Sequence, residues 1–206
     1  MSFTPENTSP AAVRLMGAIL AGGQSSRFGR DKAEALFGGK RLIDHVAEAL
    51  APQVAALVVA GGPERGSLPR VADRPGPGLG PLGGLSAALH AAATSGFDWV
   101  LTAPCDAARL PADLAARLFA GLAAAPQPEA LAAYACAGGR DHPTFGLWSA
   151  RLAPNLDAWL AASRSPQDRA IRRWAASIGA VRVPFPENAF ANINTPEDLE
   201  ALIRQS

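Results

Sequence analysis

The chain has 206 residues, enough for one α/β domain with a substantial core. Nineteen Lys and Arg against eighteen Asp and Glu give a net charge of +1, which argues against the basic face that broad nucleic-acid binding needs. Two cysteines, Cys105 and Cys136, make no disulfide framework and fit a reduced, cytoplasmic setting, and no apolar run reaches the ~18 residues that suggest a membrane helix.

Residues 1–13 read as a loose extension: Met1 to Pro10 is polar and proline-bearing, with no apolar run of the signal-peptide kind. Residues 14–206 read as one domain, with no internal repeat and no dividing linker. Met16 to Ala21 is an apolar run that predicts a buried first strand. Leu42 to Leu50 has one apolar face and predicts a helix. Ala55 to Ala60, closed by Gly61-Gly62-Pro63, predicts a second buried strand, and Arg70 to Ala72 a third that ends at Asp73. A Gly- and Pro-rich stretch from Arg74 to Gly84 leads into a helix expected from Gly84 or Leu85 to Thr94. Phe97 to Ala103 predicts a strand that stops at Pro104-Cys105-Asp106. Pro111 to Ala124 predicts a helix with proline in its first turn.

Ala130 to Cys136 reads as a strand, Gly138 to Pro143 as a loop and Thr144 to Trp148 as a strand. Helices are expected over Leu152 to Ala162 and Ala170 to Ile178, and extended pieces at Val181 to Val183 and Phe190 to Ile193. Thr195-Pro196-Glu197-Asp198 opens a last helix, with Thr195 as N-cap and acids in the first turn. Strands alternating with helices predict a mainly parallel sheet covered on both faces. Ligands of such sheets sit beyond the carboxyl ends of the strands. The loop at Gly22, Asp73 and Asp106 each follow a predicted strand, so parallel strands would bring all three to one rim.

The first of these loops, Leu20-Ala-Gly-Gly-Gln-Ser-Ser-Arg-Phe-Gly-Arg-Asp-Lys32, strips side chains from the backbone and then adds Arg27, Arg30 and Lys32. Bare main chain lets N–H groups converge on an anion, and Arg27 and Lys32 can neutralise it. The pattern predicts a polyphosphate cradle. It is not a P-loop, because Arg30 follows Gly29 and Ala33 follows Lys32. The other reading is a surface turn with solvated charges. Gly78 to Gly83 matches the dinucleotide pattern literally, but Pro81 lies inside it and it does not follow the first strand. A close-approach loop against a base or ribose suits it better.

Asp106 is the metal candidate: Mg²⁺ takes one or two carboxylates together with substrate phosphates and water. A turn former or helix cap is the alternative. Asp73 contacts the nucleotide or the metal, or is a plain turn residue. Arg140-Asp141-His142-Pro143 places an anion clamp and a base in one loop, unless these are ordinary loop residues. Asn192 and Asn194 flank Ile193 and share one face of an extended segment, or else cap the last helix. The four tryptophans read as packing.

Taken together, these residues resemble the molybdenum cofactor guanylyltransferase family. Its opening, Leu-Ala-Gly-Gly, a variable stretch, Arg-Met-Gly, then Asp-Lys, appears here as LAGGQSSRFGRDK, with Phe28 for the Met. The likeness continues through GPLGGL (Gly80 to Leu85), PCD (Pro104 to Asp106), RDHPT (Arg140 to Thr144) and NINTPEDL (Asn192 to Leu199). The resemblance implies a Rossmann-like three-layer α/β/α nucleotidyltransferase fold with a mainly parallel sheet. Its N-terminal half would bind nucleotide and its C-terminal half molybdopterin. It implies GMP transfer from GTP to molybdopterin with Mg²⁺, releasing pyrophosphate. Leu20, Ala21, Gly22, Gly23, Lys32, Asp73, Gly83 and Asp106 would hold the nucleotide, and Asp106 the metal. Lys32, Asp106 and Arg27 would carry the chemistry. Arg140, Asp141, His142, Asn192 and Asn194 would lie on the pterin side. A family Asn that contacts the nucleotide has no counterpart near Ala60 to Gly62. Protein partners on this reading are molybdoenzyme apoproteins or their chaperones, with no nucleic acid and no membrane. The alternatives are a cytidylyltransferase of molybdopterin or of a sugar or alditol phosphate, and a non-catalytic nucleotide-binding delivery protein.

Overall fold

A computed structural model of the chain describes residues 13–22, 36–63, 68–127 and 129–192. In chain order the strands are β1 (Leu15–Leu20), β2 (Leu36–Phe37), β3 (Lys40–Arg41), β4 (Ala56–Ala60), β5 (Arg70–Val71), β6 (Trp99–Pro104), β7 (Ala107–Arg109), β8 (Ala132–Ala137), β9 (Arg140–Ser149), β10 (Val181–Pro184) and β11 (Ala191–Asn192). The helices are α1 (Leu42–Leu50), α2 (Pro81–Thr94), α3 (Leu114–Ala123), α4 (Ala153–Ala162) and α5 (Ile171–Ser177). One seven-stranded sheet runs β10-β8-β9-β6-β1-β4-β5, and β7–β11 and β2–β3 form two small ribbons. Every neighbour pair in the large sheet is parallel except the two that β9 makes, with β6 and with β8.

Alternation along β1 sends its side chains to two cores. Met16, Ala18 and Leu20 meet Leu82, Leu85 and Leu89 of α2 together with residues of α4 and α5. Leu15 and Ile19 meet Ile43, Val46 and Leu50 of α1 and Leu114 and Leu118 of α3. This is the expected three-layer α/β/α arrangement. Leu82, Leu85 and Leu89 are fully buried, and each stabilises the fold by roughly 1.5–3 kcal/mol relative to exposure. The tryptophans pack, as expected. Trp148 and Trp174 are wholly buried with ring centroids 5.3 Å apart, and their indole N–H groups donate to Thr102 Oγ1 (3.0 Å) and Asn155 Oδ1 (2.9 Å).

Three boundaries differ from the expectation for physical reasons. Helix α2 starts at Pro81, not at Gly84 or Leu85. Proline suits a first helical position, and Gly84 lies where the helix touches β4: a Cβ there would stand 3.0 Å from Ala60 O. Helix α3 starts at Leu114, not Pro111. The Gln53 amide takes over that end, donating to Pro111 O (3.1 Å) and accepting from Ala115 N–H (3.0 Å). The expected loop over Gly138 to Pro143 is only a two-residue turn, Gly138-Gly139, with φ of +54° and +72°. Two positive φ angles make the hairpin turn that matches strand twist, so β9 resumes at once at Arg140.

Strand β9 then carries an irregularity. His142 pairs with Ala135, but the neighbouring Tyr134 pairs with Gly146, so Pro143, Thr144 and Phe145 are extra on β9. Pro143 has no N–H to give a ladder and fits such a bulge. The Thr195 helix lies outside the described residues.

Candidate active site

The exits of the parallel strands and the start of β9 share one rim. Leu20 is paired with Ala60 on one side and with Pro104 on the other. Ala21 N–H donates to Ala60 O (2.9 Å), and Leu20 O accepts from Cys105 N–H (3.1 Å). Gly22 therefore stands two residues past Leu20, and Asp106 two residues past Leu20's partner Pro104, on strands about 4.8 Å apart. From β1 the chain crosses by α1 to β4 on one side, and α2 returns it to β6 on the other. Gly22 thus leaves the sheet at a topological switch point, where open α/β sheets hold their ligands.

Asp73 comes in from the β5 side. Its carboxylate lies over β1's exit: a Cβ on Gly22 would stand 3.4 Å from Oδ1 and 3.5 Å from Oδ2. Gly61 has φ +77°, and a Cβ there would run into Asp73 Oδ1. On the α2 side a Cβ on Gly83 would stand 3.3 Å from both Cβ and Cγ of Asp73, and Arg74 N–H donates to Gly83 O (3.1 Å). Asp73 Oδ1 is buried and has no hydrogen-bond partner among the described residues. Burial pushes the Asp73 carboxyl above its usual range, and Arg70 pulls the other way. Arg70 itself donates from Nε to Gly62 O (2.6 Å). A desolvated, unpaired carboxylate oxygen is costly, and such groups concentrate where a ligand completes them.

Asp106 occupies the two-residue turn between β6 and β7 and is half-buried. The β7–β11 ribbon, which the sequence reading lacked, pairs Ala107 with Asn192. It therefore sets the Asn192 backbone beside the residue that follows Asp106. Three alanine- and arginine-bearing residues in β7 carry no strand pattern, so only the pairing reveals it. Gly23, Arg27, Lys32 and Asn194 lie outside the described residues.

The Arg140–His142 group is brought to the rim but is not a loop. As strand residues the three alternate, so Asp141 points to one face and Arg140 and His142 to the other. Asp141 is held by Arg182 of β10, with Oδ1 accepting from Nε at 2.8 Å, which raises the Arg182 pKa. The same acid and burial raise the pKa of Tyr134, burial being the larger cause. His142 belongs to an aromatic group on the α1/α3 face, with its ring 5.3 Å from Phe190 and 6.4 Å from Phe145. The expected loop is corrected here: these are strand residues, and alternation sets Asp141 on the opposite face from Arg140 and His142. Sequence reading also missed Gly61, Phe145 and Phe190. The Gly-Gly after a predicted strand was a signal for the first; nothing marked the two phenylalanines.

Among the described residues no group of three or more His, Cys, Asp or Glu side chains gathers into a metal cage. No helix there is long and apolar enough to cross a membrane.

A sheet wound both ways from its first strand, with a glycine-lined carboxylate at that strand's exit, is built to hold a ligand there. The fold is shared with the molybdopterin-guanine dinucleotide biosynthesis protein A of Archaeoglobus fulgidus, at a TM-score of 0.68 and 21% identity over 92% of this chain and 97% of that one. It is shared too with a CMP:2-keto-3-deoxy-manno-octonic acid synthetase solved with CTP, at a TM-score of 0.66 and 14% identity over 94% and 97%. The model of the MobA-like NTP transferase domain matches residues 17–181. The molybdenum cofactor guanylyltransferase of Cereibacter sphaeroides is 45% identical over 94% of this chain and 99% of its own length. That of Rhizobium leguminosarum bv. trifolii is 38% identical over 90% of each. The chain belongs to the molybdenum cofactor guanylyltransferase family and is a nucleotidyltransferase of molybdenum cofactor biosynthesis.

Proposed function

We propose that this enzyme transfers GMP from GTP to molybdopterin, forming the guanine dinucleotide and releasing pyrophosphate. The observation that carries the reading is the unpartnered Asp73 oxygen set against Gly22 at the exit of β1. There, ligand donors supply hydrogen bonds that none of the described residues makes. The relatives' name, molybdenum cofactor guanylyltransferase, and their high coverage support a guanine nucleotide and a molybdenum-cofactor acceptor.

A terminal phosphate oxygen of molybdopterin attacks the α-phosphorus of GTP. The bond from that phosphorus to the bridging oxygen breaks, and pyrophosphate leaves with its electron pair. The attacking oxygen is already ionised, so no side chain has to become a covalent nucleophile. The work of the protein is to align two anions and to steady charge at phosphorus. Gly22 gives the triphosphate a bare approach to the main chain. Asp73 accepts hydrogen bonds from the nucleotide and fixes its depth in the cleft. Lys32 and Arg27 neutralise phosphate oxygens, and Arg140, His142 and the two asparagines hold the acceptor.

Mg²⁺ suits the donors present: Asp106 and Asp73 offer only oxygen, and a hard cation that keeps substrate phosphates and water as ligands needs no cage. Asp106 would hold it, and it would supply positive charge to the α-phosphate and the leaving group. A cytoplasmic location accords with this chemistry.

The direct test uses GTP labelled at the α-phosphate, molybdopterin and Mg²⁺. The label is expected in a molybdopterin dinucleotide, with unlabelled pyrophosphate formed in equal amount. Label appearing in free GMP alone would overturn the proposal.

A further inference from the structure

Phe190 sits at the centre of a ring cluster that none of the described cradle residues, Gly22, Gly61, Asp73 and Gly83, joins. Its centroid is 4.4 Å from Phe145, 5.2 Å from Phe185 and 5.3 Å from His142. Phe145 and Phe185 are buried, whereas Phe190 and His142 are half-exposed at the rim. The partners come from separate elements. Phe145 ends the three-residue bulge in β9, Phe185 follows β10, and His142 is the last residue of β9 before the bulge. Phe190 itself leads directly into β11, whose Asn192 pairs with Ala107 beside Asp106. One ring therefore ties the start of β9 to the strand next to the Asp106 turn. The bulge lies between His142 and Gly146, while Arg140 to His142 still pair with Ala135 to Ala137, so the ladder fixes the backbone there and ring packing orients the His142 side chain.

We infer that Phe190 is a positioning residue for the acceptor half of the reaction. Its ring fixes the His142 imidazole at the start of β9, so it governs how molybdopterin is held and leaves GTP binding alone. This rests on the proposed acceptor. The geometry behind it is tilted ring stacking at separations where aromatic pairs attract. The nucleotide elements Gly22, Gly61, Asp73 and Gly83 make none of these ring contacts.

The test is a double-mutant cycle read on two observables: KM for molybdopterin in pyrophosphate release, and Kd for GTP by calorimetry without acceptor. Phe190→Met keeps volume and loses the ring, whereas Phe190→Tyr keeps the ring. Phe190→Met is expected to raise the acceptor KM about tenfold with the GTP Kd within about twofold of wild type. Phe190→Tyr is expected to restore the KM. His142→Leu is expected to raise the KM by a similar factor and to add little on top of Phe190→Met. Additive effects of the two changes, an unchanged KM in Phe190→Met, or a GTP Kd that weakens in step with KM would overturn the inference. Should Phe190→Met fail to fold, the contrast between His142→Leu and His142→Phe, which keeps a ring on Phe190, decides the same point. A wild-type enzyme that binds GTP yet releases no pyrophosphate with molybdopterin would overturn the proposed acceptor instead.

Discussion

The carboxylate of Asp73 lies directly behind Gly22, 3.4 Å from where a Cβ on that glycine would stand. The contact joins the exit of β1 to the loop after β5 and leaves Oδ1 buried without a partner among the described residues. Such an arrangement is poor for the empty protein and good for a ligand that brings donors.

Asp73→Asn should separate stability from activity. Burial raises the folded-state pKa of Asp73 above its unfolded value, so the folded state binds the proton more tightly. Stability then falls as pH rises through the window between those two pKa values, and the whole penalty is present at neutral pH. Asp73→Asn removes it. Thermal unfolding at pH 7 should give a Tm equal to or above wild type, with the advantage shrinking as pH falls towards 3.8. The GTP Kd should weaken about tenfold or more. A clear loss of Tm at pH 7 would contradict the strained-carboxylate account.

Two glycines around that carboxylate should behave differently. Gly61→Ala forces a side chain into positive φ and into the Asp73 oxygen, which should cost about 1–3 kcal/mol by denaturant unfolding. Gly22→Ala meets only ordinary contacts, the nearest at 3.4 Å, and should leave unfolding within about 0.5 kcal/mol of wild type. Its methyl instead covers the face of Asp73 that the nucleotide needs. Calorimetry should therefore show weaker GTP binding in a stable protein.

Neighbouring residues on β9 should also separate. Asp141 is bound to exposed Arg182, and exposed ion pairs contribute little. Asp141→Asn is expected to shift Tm by about 2 °C or less and to change the acceptor KM far less than His142→Ala. Equal effects on KM would mean that the alternation of faces along Arg140 to His142 has no bearing on the acceptor.

Much of this was legible in the residues. Met16 to Ala21 and Ala55 to Ala60 are apolar runs that read as buried strands, and the end of the first placed Gly22 on the rim. Asp73 and Asp106 followed from the same reasoning. Long-range pairing was not legible. Nothing in Ala107-Ala108-Arg109 announces a strand, because its partner, Ala191–Asn192, lies far along the chain. The Arg140–His142 group looked like a loop because Pro143 closes it. The Gly138-Gly139 turn and the bulge allow an extended strand in spite of the proline. The helix starts slipped where a tertiary partner intervened, Gln53 at α3 and Ala60 O at α2.

The most direct test of the account is pyrophosphate release with molybdopterin and Mg²⁺, run with GTP and with CTP, for wild type and Asp106→Ala. The account predicts release with GTP well above CTP in the wild type. It predicts a fall of about a hundredfold or more in Asp106→Ala with its Tm preserved. Equal use of CTP, or near wild-type turnover by Asp106→Ala, would contradict it.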